Sequence, residues 1–210
     1  MWTRYHLALS LIIIFILILG LHWNLLFGKS KPLIRSSEPV SDKTLLKILT
    51  KVWTQHFVYT RLAVEAFFTG SPELPAILQK LKQNQIDIGA VFGDIYGPEV
   101  GSTITAELTK HINLAVALLK ALKTGDSKSI SKAKSDFYAN AKFIGDYLDI
   151  LTAKTGPETK VGSRFRHHMI MHIDTLIANV TAFVAKDYRR DVETLDAYLN
   201  AGIGMVFDMI

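Results

Sequence analysis

The sequence predicts an all-α protein: an N-terminal transmembrane helix, then a six-helix bundle of three antiparallel αα-hairpins. Three observations carry that prediction. The segment Tyr5–Gly28 contains no Asp, Glu, Lys or Arg. From Asp42 onward, apolar residues recur at three- and four-residue spacing, the period of a helix with one buried face. A histidine, a capping residue, an asparagine and an Ile-Gly pair also recur three times in the same order.

The first element is the membrane anchor, residues 1–29. Leu11 to Leu19 is continuously apolar, and a span needs roughly 20 predominantly apolar residues. Trp2, Tyr5 and Trp23 flank the run, where interfacial aromatic rings belong. A cleaved signal peptide would have an apolar region of about 7–15 residues ending in a small-residue site. The stretch His22 to Phe27 offers no such site, so an uncleaved, single-pass anchor is expected. Lys29, Lys31 and Arg35 follow it, against Arg4 and the α-amino group before it. The positive-inside bias leans towards a cytoplasmic domain, although a short N-terminal tail also suits the opposite orientation. The three basic residues are placed to touch anionic headgroups.

Residues 30–41 form a polar, turn-rich linker with Lys31-Pro32, Ser36-Ser37 and Glu38-Pro39. The helical domain follows over 42–210. Its first helix runs from about Asp42 to Thr69, and its second starts after Ser71 with Pro72 in the first position. Tyr96-Gly97-Pro98 ends the second, and the third spans about Glu99 to Lys123. The fourth begins after Gly125-Asp126. Gly156-Pro157 and Gly162 mark the next break, the fifth covers about Ser163 to Lys186, and the sixth runs from Asp187 to the end. The hairpins therefore fall at about 42–97, 98–152 and 163–210.

The internal repeat is the most informative feature. His56, His111 and His172 each lie 15 residues before a capping residue, Ser71, Asp126 or Asp187. Asn84, Asn140 and Asn200 lie 13, 14 and 13 residues after those caps, followed by Ile88-Gly89, Ile144-Gly145 and Ile203-Gly204. At 1.5 Å per residue, each histidine is about 22 Å before its turn and each asparagine about 20 Å after it. Antiparallel packing then sets the pair at one height. The three odd-numbered helices run parallel, so all three histidines are expected in one layer, as in a pseudo-symmetric helical array.

Two chemistries fit that layer. Three neutral imidazoles bind zinc, iron or nickel and leave a position for a polarised water. In that reading His56, His111 and His172 are the ligands, His168 and Glu107 stand one turn away as further donors, and Asn84, Asn140 and Asn200 orient the imidazoles through their other ring N–H. Alternatively, a buried His–Asn pair within each hairpin satisfies both polar groups, with no metal involved.

Other chemistry is excluded. With no cysteine, thiol nucleophiles, thiolate metal sites and disulfides are ruled out. There is no phosphate-binding loop, dinucleotide fingerprint or nucleophile elbow. The net charge of +5 is dispersed. Lys128, Lys132, Lys134, Arg164 and Arg166 lack interleaved aromatics, which speaks against a nucleic-acid partner. Asn179-Val180-Thr181 matches a glycosylation sequon inside a helical pattern and is read as chance, and Arg61 is read as a paired structural arginine.

Trp53 to Arg61, Asn84 to Gly89, Tyr96-Gly97, His111-Ile112, Gly125-Asp126, Tyr138 to Ala141, His168 to His172 and Asp187-Tyr188 together resemble an uncharacterised group of small bacterial helical-bundle proteins. Some of its members carry the labels acetylglutamate kinase or glycosyltransferase. The resemblance covers Trp53 to the C-terminus and implies a helical bundle without an assigned activity. At fold level only, the histidine pattern is also similar to metal-binding four-helix proteins of the DinB-like kind. The expected role is a membrane-anchored binding or scaffold protein with a protein partner; the alternative is a metal-binding bundle acting as a hydrolase or sensor.

Overall fold

The computed structural model describes residues 41–153 and 164–209. The expected membrane anchor, the linker up to residue 40 and the break at Gly156-Pro157 and Gly162 lie outside them. Among the described residues there are six α-helices and no strand: α1 Asp42–Thr69, α2 Leu74–Tyr96, α3 Pro98–Thr124, α4 Ser127–Ala153, α5 Arg164–Val184 and α6 Tyr188–Phe207. None of these is long and apolar enough to cross a membrane.

The helix ends follow from local chemistry. Ser41 Oγ accepts from Thr44 N at 3.4 Å to open α1. Asp126 accepts from Ser129 N at 2.9 Å to open α4, and Asp187 from Arg190 N at 3.2 Å to open α6. These are the expected Asx caps. Ser71 acts differently. Its Oγ accepts from Glu73 N at 3.2 Å, so Pro72 and Glu73 form a turn and α2 starts at Leu74, with Pro75 in its opening turn. In all three hairpin turns the residue just before the cap is left-handed: Gly70 (φ 71°), Gly125 (φ 72°) and Lys186 (φ 56°). The first two carry no steric cost there, whereas Lys186 does.

Each helix packs against the next along the chain, and α6 returns to α1, so the six close into a ring. Phe57, Ile88, Phe137, Ile144, Phe165 and Ile173 sit at its centre, at most 2% exposed. Each such side chain is worth about 1.5–3 kcal/mol of burial. Small residues let the helices approach. A Cβ on Gly145 would stand 2.5 Å from Arg166 Cα, so α4 and α5 touch backbone to backbone at this crossing.

Candidate functional site

His56, His111 and His172 meet in the core, 2%, 2% and 3% exposed. They come from α1, α3 and α5. The His172 ring centroid lies 5.9 Å from that of His56 and 6.2 Å from that of His111, so the single layer expected from the repeat is present. Burial in apolar surroundings pushes His56 down to about 3 and His111 down to about 4, and drives His172 well below the ordinary histidine range. Mutual repulsion adds to this for His56 and His172. All three are neutral at pH 7.

The second hairpin fixes its tautomer. His111 Nδ1 lies 2.8 Å from Asn140 Oδ1, and Asn140 Nδ2 donates to Glu107 Oε2 at 2.8 Å. A carboxylate oxygen accepts, so the amide nitrogen faces Glu107 and its oxygen faces the ring. His111 therefore donates from Nδ1. Glu107 thus acts through Asn140 and does not join the imidazoles. In the first hairpin the residue beside His56 Nδ1 is Gln85, with its Nε2 at 3.4 Å. Asn84 also hydrogen-bonds the His56 side chain and donates to Val52 O at 2.8 Å, tying α2 to α1.

The third hairpin departs from the expected pattern. Asn200 is exposed on α6 and does not orient His172. The His56–Gln85 and His111–Asn140 pairs are both 29 residues apart, and the same step from His172 lands on the buried Ala201. Tyr198 fills the slot, its ring 5.1 Å from His172. His172 Nδ1 is buried with no hydrogen-bond partner among the described residues. His168 also stays out of the layer. Four residues advance a helix by more than one turn, and His168 Nε2 pairs with Asp208 on the α6 side.

Among the described residues, no three or more His, Asp or Glu side chains are grouped to hold a metal ion. The expected zinc, iron or nickel ligands thus share a layer without forming a ready donor set.

Two polar assemblies had no local sequence signal. Arg61 on α1 makes a two-pronged contact with Asp191 on α6, at 2.6 and 2.9 Å, and donates to Asn179 on α5 at 2.9 Å. The guanidinium's hydrogen bonds hold the Asp191 carboxyl below its usual range. Asn179, read from sequence as a chance sequon, donates to Asp191 O and Oδ1 at 2.8 Å. Arg61 is thus a paired structural arginine. Asp149, buried within α4, caps α5 by accepting from Phe165 N at 2.9 Å and Arg166 N at 3.3 Å.

Beside the histidine layer, towards the turns at Gly70 and Gly125, lies a cavity of about 220 Å³. Leu78, Leu81, Val116, Leu118, Phe137 and Leu176 are among its walls, drawn from α2 to α5, with Val64 added by α1. Phe137 also packs on the His111 ring at 4.5 Å, so it separates the cavity from the layer. Thr60 and Lys120 are the only lining residues with polar side chains among those described, and Lys120 is exposed. No acid–base pair or activated nucleophile faces this space among the described residues, so its chemistry is that of holding apolar matter.

The fold and the site together define a closed helical bundle with a neutral histidine–amide layer beside an apolar cavity. Compared with protein families, curated proteins and solved structures, the chain matches none.

Proposed function

We propose that this chain is a membrane-tethered binding protein whose helical domain holds a small apolar ligand, with the histidine–amide layer fixing the register of the three hairpins. The cavity carries this reading. It is larger than the engineered apolar cavity of about 150 Å³ that takes up benzene, and its walls are almost wholly hydrocarbon. The charge-free run Tyr5–Gly28 supports the tether. The test is the thermal unfolding of the full chain in lipid nanodiscs with and without benzene or n-hexane. Tm should rise in the parent and stay unchanged in Ala115→Phe, which fills the cavity, with circular dichroism checking that the variant folds. A parent that ignores both hydrocarbons overturns the reading.

One observation favours metal binding as a second reading: the three imidazoles do share a layer, and His172 Nδ1 is buried without a partner among the described residues. Elemental analysis of the full chain beside His172→Phe decides it. Stoichiometric zinc, iron or nickel lost in the variant would support a sensor or hydrolase. Metal that is sub-stoichiometric, or equal in both, would end it.

A further inference from the structure

The shape and edge of the cavity define its ligand more narrowly, on the footing of the binding role above. We infer that the ligand is a single-chain carboxylate of about eight or nine carbons, tail inward and head at Lys120.

Size comes first. Scaling from the benzene-sized cavity of about 150 Å³, a space of about 220 Å³ takes roughly eight or nine carbon atoms. A two-chain lipid is too large. Polarity comes next. Towards the histidine layer the walls are Leu81, Phe137 and the buried, uncharged Thr60, and behind Phe137 stands the neutral, internally bonded His111. Nothing there welcomes a charge, so the tail goes in first.

The rim supplies the opposite chemistry. Lys120 is the one charged residue lining the cavity, and among the described residues it forms no ion pair. Lys123 stands one turn further along α3, with its ammonium 5.0 Å from the centre of the Phe67 ring. Phe67 is itself a wall of the cavity. The Lys123 ammonium is engaged by Phe67 O at 3.5 Å, which leaves Lys120, among the described residues, as the free ammonium beside the hydrocarbon opening, a fit for an anionic head on an alkyl chain.

The test is photo-crosslinking of the full chain in nanodiscs by an eight-carbon acid with a diazirine at its tail. Peptide mass spectrometry maps the label, and unlabelled competitors measure affinity. Label is expected on α2, α3 and α5 residues of the wall. Competition by straight-chain carboxylates should tighten about fourfold per added methylene, then level off beyond about nine carbons. Lys120→Gln should weaken octanoate by roughly threefold, the scale of an exposed ion pair, and leave 1-octanol unchanged. If octanol competes but octanoate does not, or if the two respond alike to Lys120→Gln, the carboxylate assignment fails while the cavity still binds. If neither competes, or the label maps elsewhere, the binding role falls with it.

Discussion

His111 and Asn140 form the defined contact of the polar layer, Nδ1 to Oδ1 at 2.8 Å, with the far side of the amide held by Glu107. The first hairpin places His56 and Gln85 at the same separation of 29 residues. The amide at that step belongs to the fold's register. In Asn140→Leu the His111 N–H loses its acceptor inside the core, at a cost of about 1–3 kcal/mol. Asn200→Ala, on the exposed face of α6, should change stability by less than about 0.5 kcal/mol. Urea unfolding of both variants checks this, and equal effects would mean that the amide register is misassigned.

The neutral imidazoles make stability depend on pH in a definite direction. In the unfolded chain each histidine takes up a proton near pH 6.5, while the folded ones stay neutral down to about 4 for His111 and about 3 for His56. Across that window the unfolded state holds more protons, so stability rises with pH and is lost on acidification. Three such groups give a slope of about 4 kcal/mol per pH unit below pH 6. The loss down to pH 4 adds to roughly 10 kcal/mol, enough to unfold a domain in the lower half of the usual range of about 5–15 kcal/mol. His172→Phe should lower the slope by about a third in urea titrations at pH 7.5, 6 and 5. An unchanged slope would show that His172 is not buried neutral.

The turn before α6 carries a removable strain. Lys186 occupies the left-handed region at φ 56°, where the other two hairpins have glycine. Lys186→Gly should raise stability by about 1 kcal/mol, seen as a Tm increase of a few degrees. A lower Tm would place the turn's energetics elsewhere.

Close approach of α4 and α5 depends on a missing methyl. Gly145→Ala puts a carbon 2.5 Å from Arg166 Cα and 2.6 Å from its amide nitrogen, and backbone cannot yield cheaply. A loss of about 3 kcal/mol or more is expected. Gly204→Ala meets only His168 Cε1, at 3.9 Å, and should gain up to about 1 kcal/mol from helix propensity. Chemical denaturation of the two side by side is the check, and a neutral Gly145→Ala would mean that the helices are further apart.

The ion pair that joins the first helix to the last supplies a further test. Removing Asp191 leaves Arg61 and Asn179 facing each other without the carboxylate between them. Asp191→Ala should cost about 3 kcal/mol. A double-mutant cycle with Arg61→Ala should return a coupling of more than about 1 kcal/mol, and additive losses would show that the pair does not close the ring.

What the sequence displays and what it conceals divide along physical lines. Helices α1, α3 and α6 begin within a residue of expectation, because Ser41, Pro98 and Asp187 act on their immediate neighbours. The layer of His56, His111 and His172 was readable, because equal spacing to a turn sets equal height in any antiparallel hairpin. The amides were less so. Asn84 and Gln85 are adjacent and both reach His56, although the spacing singled out only Asn84. Asn200, at the corresponding place in the third hairpin, is exposed on α6. Asp149 and Asp191 bond to groups 16 and 130 residues away, and nothing local marks such partners. The cavity is silent in the sequence, since a leucine facing a gap is written like a leucine facing a neighbour.

The packing of α6 on α1 sets how many hairpins the architecture takes. An open stack of helical repeats grows by adding units and needs special units at both ends to cover its exposed faces. Here the last hairpin seals the first through Arg61, Asn179 and Asp191, so no end is left to cover. A fourth hairpin would have nowhere to enter without parting that seam, and a chain with only two would lack the helix that carries His172. The stack ends by closing on itself, so its two terminal helices serve as each other's cover.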